Sequence, residues 1–252
     1  MFDLNGHIAL VTGGNGGIGL AFGRGLVKSG ASVAIWGRNE AKNAAAMAEL
    51  EGLGGDVEAF VCDVTDDSQV DEMFAATVDR FGKVDSCFAN AGGAGVRGPL
   101  HQIDSAGWKN GLDLNLNSVV NTFRPTIAQL LKRKASGKLV VTSSIAALMG
   151  MPAAASYSAT KAAVVGLVRS LAVELGQAGI TANALLPGYV ESDLTADTPQ
   201  AFKDAARRRS CVGRVGRVED MEGVAVFLAS QHSDYMTGHA LVMDGGHTIH
   251  PA

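Results

Sequence analysis

Cysteine, excess positive charge and long apolar runs are scarce or missing in this sequence, and each shortage excludes a class of protein. The three cysteines, Cys62, Cys87 and Cys211, are far apart, so their spacing fits neither a disulfide framework nor a metal or redox site. The net charge is −4, which excludes nucleic-acid binding through a basic surface. No run of about 18 apolar residues occurs, so we expect no membrane-spanning helix. The N-terminus also lacks a secretory signal, and we expect a reduced, cytoplasmic protein.

Proline is scarce as well, with 6 residues, but glycine is abundant, with 32 of 252 residues. An average protein contains about 7% glycine, and an excess without proline is typical of neither collagen nor a flexible linker. Apolar residues make up 47% of the chain, which supplies a sizeable core and excludes intrinsic disorder. We therefore expect the glycines to serve local turns and close backbone contacts.

Short apolar segments alternate along the chain with longer segments of helical periodicity. The predicted buried strands are residues 7–12, 32–36, 57–61, 84–89, 138–143, 180–186 and 239–243. The predicted helices are residues 17–29, 40–52, 67–81, 104–133, 156–178 and 219–230. This alternation predicts an α/β fold, a parallel sheet with helices on both faces, formed by residues 1–252 as one domain.

Residues 197–218 break this alternation because they are polar and contain several glycines and arginines. Two interpretations are open: a mobile substrate loop at about residues 190–215, or an ordinary surface insertion. Arg207, Arg208 and Arg209 are expected to form a solvated helix face. His247 and His250 lie near the C-terminus without a third ligand, so we expect no metal site there.

A glycine-rich turn, TGGNGGIG at residues 12–19, lies between the first predicted strand and the first predicted helix. Glycines permit a sharp turn and a close approach of a ligand to the backbone. The helix that follows directs free N–H groups and the positive end of its dipole toward an anion. Gly14, Gly16 and Gly19 also satisfy the G-x-G-x-x-G pattern in the context that it requires. The turn therefore predicts a site for the pyrophosphate of a dinucleotide.

The end of the second predicted strand bears on the choice between NADP(H) and NAD(H). A site that prefers NAD has an acidic residue there for the ribose 2′-hydroxyl. This sequence instead reads Ile35-Trp36-Gly37-Arg38, without a carboxylate. Gly37 leaves space and Arg38 can pair with a 2′-phosphate, which favours NADP(H). NAD(H) stays open, because Arg38 can equally cap or solvate the turn.

Three residues with chemical function follow the fifth predicted strand. Ser144 ends the strand, Tyr157 follows 13 positions later, and Lys161 lies four positions beyond it. A spacing of four places Tyr157 and Lys161 on one face of a helix. Ser144 lies where parallel sheets bind their ligands, at the carboxyl end of a strand.

With these residues, essentially the whole chain resembles the short-chain dehydrogenase/reductase family. The matching motifs are TGxxxGxG at Thr12, Gly13, Gly17 and Gly19, Asn-Ala-Gly at Asn90, Ala91 and Gly92, and Tyr-x-x-x-Lys at Tyr157 and Lys161. Ser144 and Asn115 fall at the positions of the family's catalytic serine and asparagine, and Pro187-Gly188 and Asp244-Gly245-Gly246 follow two predicted strands as in the family. The resemblance implies a Rossmann-like, doubly wound sheet of about seven strands in the order 3-2-1-4-5-6-7. It also implies nicotinamide-dependent hydride transfer between a secondary alcohol and a ketone.

The resemblance implies a role for each of four residues. Tyr157 is the expected general acid and base, and the charge of Lys161 is expected to lower the pKa of Tyr157 from its ordinary value of about 10. Ser144 is expected to position the substrate oxygen. Lys161 is expected to hydrogen-bond the nicotinamide ribose, and Asn115 to hold a water that connects Lys161 to solvent.

The expected cofactor-binding residues extend along the carboxyl edge of the predicted sheet. They are Gly13, Asn15, Gly16, Gly17, Ile18, Gly19, Arg38, Asp63, Val64, Asn90, Ala91, Gly92, Tyr157, Lys161, Pro187, Gly188, Val190 and Ser192. The family pattern implies adenine beside Asp63 and Val64, and the nicotinamide carboxamide near Val190 and Ser192. Gly16 stands where many NADP-preferring relatives carry arginine, which removes a second partner for a 2′-phosphate.

The substrate pocket is expected between residues 93–100, 145–155 and 189–211. Its predicted walls are mostly apolar, with Arg97 as one charged contact, which favours a neutral or partly apolar alcohol or ketone. A 3-oxoacyl thioester reductase and a sugar or polyol dehydrogenase stay open within the family. Outside it, the alternatives are a dinucleotide-binding regulator without turnover, which the complete Ser-Tyr-Lys-Asn set argues against, and a methyltransferase, which the glycine turn alone supports.

Residues 159–175, ATKAAVVGLVRSLAVEL, are apolar on nearly all sides of their predicted helix. One face can bury against the sheet, but a monomer would expose the rest. The homotetramer that is common in the family would cover this surface through the helices around residues 104–133 and 156–178. We therefore expect a homotetramer.

Overall fold

The computed structural model describes residues 2–250. In chain order the strands are β1 (Ile8–Thr12), β2 (Ser32–Gly37), β3 (Val57–Val61), β4 (Ser86–Ala89), β5 (Gly137–Thr142), β6 (Ile180–Pro187), β7 (Val190–Glu191), β8 (Gly216–Arg217) and β9 (Ala240–Met243). The helices are α1 (Gly17–Lys28), α2 (Glu40–Gly52), α3 (Asp67–Phe81), α4 (Ser105–Leu112), α5 (Ser118–Arg133), α6 (Ala155–Leu175), α7 (Gln200–Arg209) and α8 (Glu222–Ala229).

Seven of the strands form one parallel sheet in the spatial order β3-β2-β1-β4-β5-β6-β9. The predicted Rossmann-like order is confirmed, and its last strand is β9 because the two-residue strands β7 and β8 intervene and pair with each other. The chain crosses from β3, at one edge, to β4 on the far side of β1. In such sheets ligands bind at the carboxyl ends of the strands beside this reversal.

The sheet is covered on both faces, which explains why its strands are almost continuously apolar. On one face α1, α2 and α8 pack around a core cluster that includes Phe22, Leu26 and Ile35. On the other face α3, α5 and α6 pack around a cluster that includes Trp36 and Phe123. Within residues 2–250, no helix combines the length and the apolar character that crossing a membrane requires.

Two predicted segments differ from the structure. The single helix predicted over residues 104–133 is divided into α4 and α5 by a π-helical turn at Asp113–Asn117. Residues 197–218 are not irregular throughout, since they contain α7 and β8, and the predicted helix face with Arg207, Arg208 and Arg209 is exposed at the end of α7. Both differences lie beside the site described below.

Candidate active site

The glycine-rich turn leaves the carboxyl end of β1 and leads directly into α1. Gly13 and Gly17 have φ values of 63° and 51°, in the left-handed region that favours glycine. At Gly19 a Cβ atom would stand 2.2 Å from the carbonyl oxygen of Gly13, so a larger residue would push the helix away from the turn. The N–H of Gly13 donates a hydrogen bond to the carbonyl oxygen of Trp36 at 2.7 Å, which ties the turn to β2.

The N-terminus of α1 fits an anion. Side chains cap the first turns of α2, α3 and α4, but within residues 2–250 none caps α1, whose first turn also has no acidic residue. A Cβ at Gly16 would meet no atom within 4 Å, so the space outside the turn is open. Ser192 closes the other side, with its Cβ 3.5 Å from the place that a Cβ at Gly17 would take. The exposed N–H groups and the helix dipole therefore fit the pyrophosphate of a dinucleotide.

The space expected beside Gly37, at the end of β2, is filled by two amides. A Cβ at Gly37 would stand 2.2 Å from Asn15 Nδ2. This Nδ2 atom donates a hydrogen bond to Asn43 Oδ1 at 2.6 Å, and Asn43 Nδ2 donates to the carbonyl oxygen of Gly37 at 2.9 Å. Glycine at position 37 therefore makes room for Asn15 and Asn43, and any other residue would displace them.

Arg38 extends from the same corner with 70% of its side chain exposed. Its Nη1 atom lies 3.8 Å from Asp63 Oδ2, beyond the end of β3. Asp63 Oδ1 accepts hydrogen bonds from the N–H and the hydroxyl of Thr65 at 3.0 and 2.7 Å. The guanidinium of Arg38 thus has a loose ion pair on one side and is accessible on the other.

Asn90 joins the ends of three neighbouring strands. The Thr12 hydroxyl accepts hydrogen bonds from the N–H groups of Asn90 and Ala91 at 3.1 and 3.0 Å. The side chain of Asn90 donates to the Thr12 carbonyl oxygen at 3.2 Å and accepts from the Thr142 hydroxyl at 2.9 Å. The ends of β1, β4 and β5 are therefore held in one arrangement beside the phosphate turn.

Asn115 is 1% exposed and faces the backbone that follows β4. Its Oδ1 atom accepts a hydrogen bond from the Gly93 N–H at 3.0 Å, and its Nδ2 atom donates to the Gly111 carbonyl oxygen at 3.3 Å. A Cβ at Gly92 would stand 2.9 Å from Asn115 Oδ1 and 3.5 Å from Lys161 Nζ. Asn115 is the middle residue of the π-helical turn, a feature that is frequent at functional sites.

Lys161 is 5% exposed, and hydrogen bonds hold both its side chain and its backbone. Its Nζ atom donates a hydrogen bond to the carbonyl oxygen of Thr142 at 2.8 Å, and its own carbonyl oxygen accepts one from the Ser143 hydroxyl at 2.7 Å. Burial lowers the pKa of Lys161 from 10.5 to about 8. The Nζ atom lies 5.6 Å from the centroid of the Tyr157 ring.

The side chain of Ser144 lies close enough to the Tyr157 hydroxyl to influence the pKa of the phenol. Burial raises the pKa of Tyr157, while the neighbouring Ser144 side chain and the positive charge of Arg97 oppose this increase. The expected lowering of the Tyr157 pKa by Lys161 is absent from this structure. The physical reason is that burial dominates the environment of the phenol, and the Lys161 ammonium donates to Thr142 instead.

The remaining predicted cofactor residues follow β3 and β6. The N–H of Gly188 donates to the Met243 carbonyl oxygen at 2.9 Å, and Ser192 faces the phosphate turn as described. Val64 and Val190 are each 5% exposed, and their side chains pack in the two core clusters. These two valines thus present backbone atoms, rather than side chains, to the edge of the sheet where the site lies.

Sequence reasoning missed an ion pair beside the phosphate turn. Lys42 Nζ on α2 lies 3.1 Å from Asp193 Oδ2 in the segment after β7. Together with Gly16, Gly17 and neighbouring residues, this pair lines a cavity of about 320 Å³. Asn43, Thr142 and Ser143 were missed as well. Their partners are distant in sequence, so no local pattern marks them, although Thr142 and Ser143 directly precede Ser144 at the strand end.

Comparisons with known proteins agree with this architecture. The sequence profile of the family described as enoyl-(acyl carrier protein) reductase matches residues 13–248. The chain is 36% identical over 245 residues to the 3-oxoacyl-(acyl-carrier-protein) reductase FabG of Chlamydia pneumoniae, covering 97% of this chain and 98% of that protein. It is 35% identical to gluconate 5-dehydrogenase of Gluconobacter oxydans, covering 99% and 97%. It is also 35% identical to cis-4-hydroxycyclohexanecarboxylate dehydrogenase of Sinomonas cyclohexanicum, covering 96% of each.

Solved structures show the same fold. A short-chain type dehydrogenase/reductase from Mycobacterium marinum superposes with a TM-score of 0.94 at 30% identity, covering 98% of this chain and 97% of that one. A 7α-hydroxysteroid dehydrogenase complexed with NADH gives a TM-score of 0.93 at 28% identity, covering 97% and 95%. The NADPH-dependent 3-quinuclidinone reductase from Rhodotorula rubra gives 0.91 at 31% identity, covering 99% and 94%.

A doubly wound sheet with a dinucleotide turn and a Ser-Tyr-Lys group at its carboxyl edge defines a nicotinamide-dependent oxidoreductase. The chain belongs to the short-chain dehydrogenase/reductase family. It is an NAD(P)-dependent enzyme that acts on alcohol and ketone groups. The resemblance inferred from the sequence is therefore confirmed.

Proposed function

We propose that Tyr157 is the general acid and base of this oxidoreductase, assisted by Ser144, Lys161 and Asn115. The observation that supports the proposal is the position of the Tyr157 ring, whose centroid lies 5.6 Å from the buried Nζ atom of Lys161, with the Ser144 side chain close to its hydroxyl. A proton donor must lie within hydrogen-bond reach of the reacting oxygen, and one carbonyl oxygen can accept from two neighbouring hydroxyls. The pair therefore suits a carbonyl oxygen of the substrate.

In the reductive direction, Tyr157 Oη gives its proton to the substrate oxygen as the C=O double bond becomes a C–OH single bond. Bound nicotinamide supplies the hydride for the carbonyl carbon, or accepts it in the oxidative direction. Ser144 Oγ donates a hydrogen bond to the negative charge that develops on the oxygen. Because the pKa of Tyr157 is raised by burial, the phenol keeps its proton at neutral pH, which favours its action as an acid.

The proton lost from Tyr157 has to be replaced from solvent. Lys161 has donor hydrogens on the same helix face, one turn beyond Tyr157, and its pKa of about 8 allows it to release and regain a proton near neutral pH. Asn115, close to the same Gly92 backbone, holds the water that connects Lys161 to solvent in this proposal. Asn115 acts as a positioning residue, because its own amide does not exchange a proton.

The preferred cofactor in this proposal is NADP(H). The pyrophosphate binds Gly13–Gly19 at the N-terminus of α1, and the 2′-phosphate binds Arg38 and the amide of Asn15. The support is the absence of a carboxylate at the end of β2 together with the accessible guanidinium of Arg38. Asp63 and the backbone of Val64 border the adenine, Asn90 to Gly92 border its ribose, and Pro187 to Ser192 border the nicotinamide.

The substrate is a secondary alcohol or its ketone, taken between residues 93–100, 145–155 and 189–211. The names of the relatives span an acyl thioester, a sugar acid and a hydroxylated ring carboxylate. The exposed apolar side chains Leu148 and Leu194 in two of these segments favour a substrate with an apolar part. A 3-oxoacyl thioester and a sugar or polyol stay as the competing substrates within this reaction class.

The chain acts as one catalytic domain in which the segment at residues 190–215 moves over the substrate. The parallel pairing of β7 with β8 supports this proposal, because it joins the two ends of the segment outside the main sheet. The interior of the segment contains α7, so it would move as a folded flap rather than as a flexible chain.

The assembly in this proposal is a cytoplasmic homotetramer that uses the outward faces of α5 and α6. The outward positions of α6 are mostly small or apolar, namely Ala162, Ala163, Gly166, Ser170 and Val173, and the last is 86% exposed. Small residues let two helices approach closely, which a contact between copies needs. Light scattering should give four times the chain mass, and Gly166→Arg should reduce the assembly size; a monomer at micromolar concentration contradicts the proposal.

Turnover of a panel of ketones with NADPH and NADH tests the proposed chemistry. The wild type should reduce at least one ketone, and Tyr157→Phe should lower kcat by about 1000-fold or more while binding NADPH with unchanged affinity. If the protein binds cofactor but shows no turnover that Tyr157→Phe abolishes, it is a dinucleotide-binding regulator and not an enzyme. Binding of S-adenosylmethionine but not NADPH would point to a methyltransferase.

A further inference from the structure

Arg97 is held close to Tyr157 by the backbone on both of its sides. The N–H of Gly98 donates a hydrogen bond to the carbonyl oxygen of Ala153 at 3.0 Å. A Cβ at Gly95 would stand 3.9 Å from Ser156 Oγ. Ser156 directly precedes Tyr157 in the chain, and Ala153 lies four positions before it. The hydrogen bond from Gly98 therefore ties the loop with Arg97 to the segment that leads into α6, and Gly95 lies beside Ser156.

The Ala153 end of this attachment is itself well defined. Ala153 has a φ of 55°, a left-handed conformation that non-glycine residues rarely adopt. Such a conformation persists where the surrounding structure determines it, and here it turns the carbonyl oxygen toward the Gly98 N–H. The loop with Arg97 is therefore held in a defined position beside the start of α6.

The charge of Arg97 acts on the reaction centre and is not neutralised by the protein. The guanidinium is close enough to lower the pKa of Tyr157. Other exposed cations of the chain have carboxylate partners, as Lys109 has Asp113 and Lys42 has Asp193. Within residues 2–250, Arg97 forms no ion pair and its side chain is exposed. An unpaired positive charge therefore lies near Tyr157, in addition to the buried ammonium of Lys161.

A lone guanidinium suits one particular chemical group. Its planar set of N–H donors matches the two oxygens of a carboxylate, and such charge-assisted pairs are about twice as strong as neutral hydrogen bonds. The apolar side chains of Leu148 and Leu194 suit the carbon skeleton between the two ends of the substrate.

We propose that the substrate is a hydroxy or oxo carboxylate, with its reacting carbon at Tyr157 and its carboxylate bound by Arg97. This inference rests on the proposed function and gives the substrate class for the same site. The sequence predicts a neutral or partly apolar substrate. The inference revises this prediction by adding one negative charge to a partly apolar molecule, at the end away from the reacting carbon. Arg97 is in this view a residue that determines specificity and takes no part in proton transfer.

The test compares two ketones that differ by one charge, 4-oxocyclohexanecarboxylate and its carboxamide. Wild-type kcat/KM should be about 10-fold to 100-fold higher for the carboxylate, mainly through KM. Arg97→Gln should remove most of this preference, because it should lower kcat/KM for the carboxylate about 10-fold more than for the carboxamide, and Arg97→Lys should restore part of the preference. Lys109→Gln, which removes an exposed charge on α4, is the control for a general loss of positive charge.

A second measurement does not depend on turnover. In the Tyr157→Phe background with NADPH bound, calorimetry should show that Arg97→Gln weakens binding of 4-oxocyclohexanecarboxylate by about 10-fold. Equal losses on the charged and the neutral ketone, or carboxylate binding that ignores Arg97→Gln, would overturn the inference. Carboxylate binding that depends on Arg97, without reduction by the wild type, would support the inference and contradict the proposed function.

Discussion

The Nζ atom of Lys161 donates a hydrogen bond to the carbonyl oxygen of Thr142 at 2.8 Å, deep at the carboxyl end of β5. The ammonium is almost completely removed from water, and this burial lowers the pKa of Lys161 to about 8. Burial of the Lys161 ammonium therefore costs the folded protein stability, and this cost in free energy of unfolding can be measured.

That cost predicts how stability depends on pH. The unfolded chain keeps the lysine pKa near 10.5, so between pH 8 and pH 10.5 the unfolded state binds more protons than the folded state. The free energy of unfolding of the wild type should therefore rise with pH across this window relative to Lys161→Met. The relative gain should be on the order of 3 kcal/mol, measured by denaturant unfolding at a series of pH values. Lys132→Met, at an exposed position, is the control, and a constant difference between wild type and Lys161→Met would contradict the prediction.

Gly92→Ala should impair catalysis through Asn115. The new Cβ would stand 2.9 Å from Asn115 Oδ1, which is fixed by hydrogen bonds to Gly93 and Gly111 and cannot move away freely. A misplacement of about 1 Å at an active site can cost about 100-fold in rate, so we expect kcat/KM of Gly92→Ala to fall by up to about 100-fold. Gly223→Ala is the matched control, because a Cβ there would meet no atom within 4 Å. Full activity of Gly92→Ala would show that Asn115 has no positioning role.

Arg38→Gln should change cofactor choice. Loss of a charge-assisted contact with a 2′-phosphate should weaken NADPH binding by about 10-fold to 100-fold, whereas NADH binding should change by less than about threefold. Dissociation constants from NAD(P)H fluorescence give both values. Arg80→Gln is the control, since Arg80 also pairs with carboxylates, Asp56 and Glu58, but at the opposite end of β3. Equal losses of affinity for NADPH and NADH would show that Arg38 does not bind the 2′-phosphate.

The ion pair between Lys42 and Asp193 should slow cofactor release. Breaking it with Asp193→Asn frees the segment after β7 from α2, and we expect NADPH to dissociate about two to five times faster, as an exposed pair is worth up to about 1 kcal/mol. The effect should shrink at high salt because both charges are exposed. Stopped-flow fluorescence of Lys42→Gln, Asp193→Asn and the double variant isolates the pair. Disrupting the distant surface pair Lys28–Glu222 serves as control. If the effects of the two single variants add up to the effect of the double variant, the interaction between Lys42 and Asp193 does not slow cofactor release.

The sheet could be predicted from the sequence because its strands carry their own signal. Strands buried on both faces are short and apolar, and the glycine turn after β1 fixes where the cofactor lies relative to them. The spacing of Ser144, Tyr157 and Lys161 on a strand end and a helix indicated the group, and the resemblance to the family gave each residue its expected role. These elements depend on local patterns, and local patterns are what a single sequence shows.

The rest of the site depends on contacts between distant segments. Asn43 fills the space at Gly37 by bonding to Asn15, and the π-helical turn at Asn115 interrupts a segment whose periodicity is that of one continuous helix. Neither follows from residue spacing, because each is decided by what packs against it. The pKa of Tyr157 also differs from expectation, because burial raises it and outweighs the opposing effects of Ser144 and Arg97.

The pairing of β7 with β8 has a consequence for how this enzyme can change. Val190 lies beside Gly216 and Glu191 beside Arg217, so the ends of the intervening segment are joined by backbone hydrogen bonds of their own. Replacing the stretch between them alters a loop whose anchors stay in place, and doubling its length costs only about 0.6 kcal/mol of closure free energy. Because the proposed function places this stretch over the substrate, we expect its exchange to change substrate choice while the parallel sheet stays the same.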